Sequence, residues 1–224
     1  YRMYELLQKE GIRTARCWTT REDFRKAKQA GEVSYPVFVK PQCGSASLNI
    51  NRVENDETVE TLFDNYEDLM VQELMTGQEY GCDLYVDLVS GRCTSLFLKK
   101  KIRMRAGETD KSVSVRDPEL FRRLALFAEK CGFRGMIDID LFHDEHGKEN
   151  ETSEIPEGEW FLSEVNPRFG GGYPHAYACG VDFPSQMIAN LEGRANPVTI
   201  GDYETGIVMM KYNEIAIRRE GELA

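Results

Sequence analysis

Nowhere in the 224 residues is there a run of about 18 apolar residues, and no basic stretch followed by an apolar one opens the chain. Neither a membrane-spanning helix nor a secretion signal is legible, and a soluble, cytoplasmic protein is expected. Positive charge is in deficit: 28 Lys and Arg stand against 38 Asp and Glu, a net charge of −10. Nucleic acid and anionic membrane both call for a basic face that displaces counterions, so neither is expected as a partner. The local exception is Lys99 to Arg105. Six cysteines, at 17, 43, 82, 93, 131 and 179, include no C-x-x-C pair, and no histidine spacing suits zinc. This favours idle thiols in a reducing compartment over a disulfide framework or structural metal. A Walker loop is absent, since no Gly-x-x-x-x-Gly-Lys-Ser/Thr opens a helix. Repeats and low-complexity tracts are lacking as well. The chain begins at Tyr1, not Met, already inside an amphipathic helical pattern, so a preceding N-terminal domain is expected to be missing from it.

What is present suffices for one fold unit or two small subdomains with a real core. Residues 1 to 10 read as a helix closed by Gly11, and 22 to 30 as another closed by Gly31. Tyr35 to Pro41 is a β-branched run between prolines, hence a strand, with Phe38 and Lys40 on one face and Val37 and Val39 on the other. A loop of small and hydroxyl residues follows, Gln42 to Leu48. Beyond a strand at Ile50 to Val53, Asn55 and Asp56 cap a helix with Val59, Leu62, Phe63 and Tyr66 on one stripe. Leu69 to Leu74 is a strand and Met75 to Gln78 a turn. Residues 80 to 89 and Arg92 to Lys101 form a hairpin across Ser90-Gly91. A polar segment, Arg103 to Ser114, follows. Asp117 caps a helix with Pro118 at its first position and Leu120, Leu124, Phe127 and Cys131 on one stripe, ending at Gly132. Two strands, Gly135 to Phe142 and Trp160 to Val165, flank an acidic loop (143 to 158), and a last helix spans about Pro184 to Gly193.

Those two strands carry acids on one face. Ile137, Ile139 and Leu141 alternate with Asp138 and Asp140, and Glu164 and Asn166 sit two apart on the second strand. If the strands are neighbours, their oxygens converge as hard ligands of the kind Mg²⁺ takes, one or two carboxylates completed by phosphate and water. Spacing alone fits a solvated sheet face equally well. Lys40 at a strand end, before a flexible loop, can present an ammonium and backbone N–H groups to phosphates, although a lysine in that position is by itself commonly just exposed.

In this order the segments resemble the ATP-grasp superfamily, most closely its carbamoyl-phosphate-synthase-like branch, over about residues 12 to 197. Four motifs carry the resemblance: Pro-Val-Phe-Val-Lys-Pro-Gln-Cys-Gly-Ser-Ala-Ser (36 to 47), Val-Gln-Glu-Leu-Met-Thr-Gly-Gln-Glu-Tyr (71 to 80), Gly-Met-Ile-Asp-Ile-Asp (135 to 140) and Ser-Glu-Val-Asn-Pro-Arg-Phe-Gly-Gly-Gly (163 to 172). The resemblance implies an α+β ATP-grasp fold with the nucleotide between antiparallel sheets. Residues 1–20 would be an N-terminal helix and connection left from the preceding domain, 21–74 a small lid with the phosphate loop, and 75–224 the larger nucleotide- and metal-binding subdomain. It implies ATP with one or two Mg²⁺, Mn²⁺ serving as substitute. By similarity Lys40 contacts the phosphates, the Gly44, Ser45 and Ser47 loop closes over them, the Glu73 and Leu74 backbone meets adenine, and Glu79 holds the ribose. Asp140, Glu164 and Asn166 match the metal ligands and Arg168 the residue that steadies the transferring phosphoryl group. Lys101 and Arg103 are the basic residues expected to reach the triphosphate or the acceptor, beside Lys99 in the cleft and Lys100 facing out; a solvated basic edge is the other reading. Two departures stand out: the phosphate loop is poorer in glycine than is usual in the family, and Asp140 replaces an amide.

The implied reaction activates a carboxylate as an acyl phosphate for attack by an amine, both small molecules. A kinase of the same fold and a non-catalytic ATP-binding module are the alternatives. Gly107 to Ser112 is expected to be a mobile loop at the acceptor site, and His143 and His146 solvated loop residues. His175 is left open between acceptor contact, a base and simple packing. Acceptor identity and oligomeric state are not legible.

Overall fold

The computed structural model describes residues 1–43, 51–105, 107–145, 155–212, 214 and 217. The expected phosphate-loop residues Gly44, Ser45 and Ser47, and His146, lie outside these. Helix α1 (Arg2–Lys9) leads into two antiparallel sheets. The smaller contains β1 (Cys17–Trp18), β2 (Val37–Pro41), β3 (Asn51–Val53) and β4 (Leu69–Glu73) in the order β1-β4-β2-β3. Its helices are α2 (Arg21–Gln29) and α3 (Asp56–Asn65). Both start on a side-chain cap: Thr20 accepts from the Asp23 N–H and Asn55 from the Thr58 N–H, satisfying donors the first turn leaves orphaned. Period-two alternation on β2 sends Val37 and Val39 into a core with Phe24, Ala27, Val59 and Val71, while Lys40 stays at the opposite surface. Tyr66, expected on the α3 stripe, is instead its exposed C-cap, because the chain has already turned extended there.

The larger sheet runs β10-β7-β6-β5-β8-β9. In chain order its strands are β5 (Gln78–Val86), β6 (Cys93–Arg105), β7 (Glu108–Val115), β8 (Gly135–Glu145), β9 (Gly158–Asn166) and β10 (Val208–Met210). One face is apolar: Cys82, Leu84, Leu96, Leu98, Ile137, Ile139 and Leu141 share a core with Leu120, Leu124 and Phe127 of α4 (Pro118–Lys130) and with Leu7 of α1. Asp117 caps α4 by accepting from the Leu120 N–H and takes the Trp160 indole N–H at 2.9 Å. Helices α5 (Tyr173–Ala178) and α6 (Phe183–Leu191) cover part of the other face, through His175 against Phe97 and Phe183 against Tyr85. Asp87, in the β5–β6 turn, ties that hairpin to α6 and beyond. Burial opposes its ionisation, but donors from Ser90, Asn190 and Asn196 outweigh it and hold the carboxyl below its ordinary range.

Several expectations need correction. Gly107 to Ser112 is not a loop at the acceptor site: Glu108 onward is strand β7, paired with β6. Its polar inward residues Asp110, Ser112 and Ser114 hide the alternation that marks a strand. His143 is not solvated. It continues the buried row Ile137, Ile139, Leu141 on β8 and packs on Trp160 with ring centres 4.4 Å apart. Helix α5 and strand β10 were not legible; at six and three residues they are too short to show a period. No helix among the described residues is long and apolar enough to cross a membrane.

Candidate active site

The polar face of the large sheet is an ordered set of charges. Alternation brings Asp83 opposite Asp138, Gly81 opposite both Asp140 and Lys99, and Asp138 opposite Asn166. Asp140 stands directly across from Glu164. The β8–β9 register slips just past that pair, so Leu162 is buried in the core while Glu164, two residues on, faces solvent. The bulge lets a single strand serve the core and the site within three residues. Asp140, Glu164 and Asn166 are therefore neighbours on one surface.

Lys101 reaches into this surface. Its Nζ lies 2.7 Å from Glu79 Oε1 and 2.6 Å from Asp140 Oδ1, with the lysine side chain only 4% exposed against 30% and 28% for the acids. Burial works against its charge, but the Asp140 and Glu79 carboxylates outweigh that and raise its pKa. Next to it Lys99 pairs with Asp83, both fully buried. Gly81 gives the Lys99 stem room, since an added Cβ there would come within 3.0 Å of Lys99 Cε.

Arg168 leaves the end of β9 and, 60% exposed, donates from Nη1 to Asp138 Oδ2 at 3.1 Å. Burial and the nearby Asp83 and Asp140 charges push Asp138 up to about 6, against the pull of Lys99 and Arg168. The following loop lies flat on these charges because it is glycine: a Cβ on Gly170 would sit 2.5 Å from the Asp138 carboxyl, and one on Gly172 2.7 Å from Lys99 Cε. Arg103 sits farther out, exposed, 3.6 Å from Asp110.

From the small sheet, Lys40 presents a half-buried ammonium. Burial lowers its pKa, and the charges of Cys17 and Glu164 push it back up. Glu164 belongs to the other sheet, so the fold brings these two charges within electrostatic reach of each other. Glu73 ends β4 with its carboxylate taken by Arg16 (Oε1 to Nη2, 3.1 Å) and its N–H donated to the Arg16 carbonyl at 2.9 Å. Leu74 follows in the link to β5. Of the residues expected to act together, the structure joins Glu79, Lys101, Asp140, Glu164, Asn166 and Arg168 on one face, with Lys40 on the other sheet within electrostatic reach of Glu164. Arg103 is set apart. The Asp83, Lys99 and Asp138 network was legible as charge on a strand face, but the glycines that accommodate it show their purpose only once the loop is seen to cross the sheet.

The donor set suits a hard cation: two carboxylates and an amide, all oxygen donors, one of which already binds an ammonium. Among the described residues no three His, Cys, Asp or Glu side chains form a metal cage by themselves, so an ion here would take much of its shell from phosphate and water.

Residues 65–215 match the family model described as ATP-grasp in the biosynthetic pathway with Ter operon. The chain belongs to this ATP-grasp family. Within the curated proteins it is 24% identical over 176 residues to the vancomycin/teicoplanin A-type resistance protein VanA of Enterococcus faecium, an alignment spanning 68% of this chain and 51% of VanA. The fold of this ATP-grasp chain is shared with the biotin carboxylase domain of Hydrogenobacter thermophilus 2-oxoglutarate carboxylase, in complex with MgADP, ADP and bicarbonate. The TM-score is 0.72 and the identity 16%, covering 92% of this chain and 48% of that one. It is also shared with Staphylococcus aureus N5-carboxyaminoimidazole synthetase complexed with ADP, at a TM-score of 0.65 and 16% identity over 86% and 51%. The chain thus spans about half the length of these relatives.

Proposed function

We propose that the chain is the nucleotide-binding part of an ATP- and Mg²⁺-dependent ligase that activates a small-molecule carboxylate for attack by an amine. The observation that carries the reading is the all-oxygen set Asp140, Glu164 and Asn166 on adjacent strands of one sheet, with the Lys40 ammonium presented from the other. A triphosphate between them would meet positive charge on one side and a cation site on the other, the arrangement phosphoryl transfer needs. The ADP and MgADP complexes of the two structural neighbours support this assignment of the cleft, and the carboxylate-activating branch nearest the motifs is the carbamoyl-phosphate-synthase-like one.

Residues 21–74 serve as the lid, its sheet completed by β1 from the segment before it, and 75–224 as the base. Residues 1–20 are the join to a preceding domain, with Leu7 packed on the base core. Lys40 binds phosphate together with Gly44, Ser45 and Ser47. Glu79 holds the ribose; the Glu73 carbonyl and the Leu74 N–H face adenine, the Glu73 N–H being already used. Asp140, Glu164 and Asn166 would hold Mg²⁺, which when bound neutralises phosphate oxygens. Arg168 steadies the transferring group, with Lys101 and Arg103 as further cations. The acceptor carboxylate oxygen attacks the γ-phosphorus as ADP leaves; the amine then displaces phosphate from the acyl carbon and loses a proton. The free cysteines suit a cytoplasmic setting.

Thermal unfolding with saturating ATP tests the site. A ligand at about 100 times its Kd adds roughly 2.7 kcal/mol, or about 5 to 10 °C here. The expected shift depends on Mg²⁺ and disappears in Glu164→Gln with the ligand-free Tm unchanged. An equal shift in that variant removes the metal assignment. Turnover yielding ADP and a stable phosphoester instead of an amide would make the protein a kinase.

A further inference from the structure

The site holds a cation of its own. The Lys101 ammonium is within 2.7 Å of two carboxylates on different strands. One of them, Asp140, is directly opposite Glu164. The lysine is almost wholly enclosed, so its charge is not dispersed in solvent. Without Lys101, Glu79, Asp140 and Glu164 would put three negative charges on neighbouring positions, a surface attractive to any free divalent ion. With it, one carboxylate oxygen of the metal set is engaged and the local charge falls by one.

Resting on the nucleotide reading above, we propose that Lys101 is an internal counter-cation that keeps the metal position weak for free divalent ions, so that the cation is captured only together with nucleotide phosphates. The phosphates bring the negative charge that Lys101 cancels. They also give the ammonium a second set of acceptors, so Asp140 can be shared or released. Lys101 thereby sets the order of binding, metal with nucleotide and not before it, and discriminates between the metal–nucleotide complex and the bare ion.

The test is Mn²⁺ binding, read directly by electron paramagnetic resonance of the free ion and by titration calorimetry, without any acceptor or turnover. In the unmodified chain Mn²⁺ alone should bind at least about tenfold more weakly than in the presence of ADP. Lys101→Met, which keeps the apolar stem but neither the terminal nitrogen nor its charge, should bind Mn²⁺ alone at least about tenfold more tightly than the unmodified chain, given the strength of a unit charge a few ångströms away in a partly enclosed site. Lys101→Arg should restore the weak binding. Since Lys101→Met leaves two acids uncompensated, the double variant Glu79→Gln/Lys101→Met keeps the parent's local charge while freeing Asp140 Oδ1, so it should bind Mn²⁺ alone more tightly than the parent and less tightly than Lys101→Met. Unchanged or weaker Mn²⁺ affinity in a folded charge-removal variant overturns the proposal, and so does Mn²⁺ binding to the unmodified chain that ADP does not strengthen. If ADP with Mn²⁺ binds to no form of the protein, the nucleotide reading itself fails, a result distinct from either.

Discussion

His175 shows how one side chain's role follows from its donors and acceptors. Its Nε2 lies 3.0 Å from the Ile207 carbonyl and its Nδ1 2.8 Å from Ser112 Oγ, with the Phe97 ring centred 5.0 Å away. A carbonyl can only accept, so Nε2 carries the hydrogen and Nδ1 accepts from the serine hydroxyl. Both nitrogens are occupied and the residue is 1% exposed, so of the readings its sequence left open, packing is the one the structure supports. Burial pushes the imidazole down to about 4; the Ile207 carbonyl opposes this and the Lys99 charge adds to it. The folded pKa is therefore below the unfolded one. The unfolded chain takes up this proton first as pH falls, and the contribution, complete above about 6.5, is lost down to about 4. Thermal melts between pH 7.5 and 4 should show an acid loss from this site of roughly 2 to 3 kcal/mol. His175→Gln, which keeps one donor and one acceptor, should flatten that part of the profile. A profile as steep as the parent's would place the acid sensitivity elsewhere.

For the elements, the crossing of the 170–172 loop over the charged strands is the feature with most at stake. Gly170→Ala drives a methyl onto the buried Asp138 carboxyl, which cannot retreat between Asp83 and Arg168. Gly171→Ala meets only the end of the exposed Glu108 side chain, 3.1 Å away. Urea unfolding should therefore place Gly170→Ala about 1 to 3 kcal/mol below the parent, with Gly171→Ala within about 0.5. Equal losses would mean that the loop does not rest on the acids as described. This crossing also marks how far the sequence can be read. Strands with one apolar face, such as β8, and helices with a cap and a stripe, such as α4, are legible because burial imposes a period on their residue types. So are the paired acids, because they interrupt an apolar alternation. Strand β7 is not legible, for its inward Ser112 and Ser114 are satisfied by His175 and by the Glu204 carbonyl in place of a core. Nor is the loop's path, since three glycines record room for a neighbour without saying which. His143 could have been placed by extending the β8 alternation one step past Leu141; the polar residues around it obscured that.

Across the whole molecule, two sheets with separate cores carry charges that act on each other. Lys40 is the clearest case, a partly buried ammonium on the small sheet whose surroundings lower its pKa and whose relief comes partly from Glu164 on the large one. Burying that charge opposes folding, so its presence is best explained by a ligand. Lys40→Met should accordingly leave the ligand-free Tm equal or slightly higher while reducing the MgATP-induced shift to a small fraction of its value. A lower ligand-free Tm with an undiminished shift would make Lys40 a structural residue. On the large sheet the charges are paired directly. The Lys99 stem passes beneath two absent β-carbons, at Gly81 and Gly172, to reach Asp83. A side chain gained at Gly172 would therefore press the Lys99 stem out of its path, one at Gly81 would crowd it, and any residue at 99 too short to span the strands would strand the acid at 83.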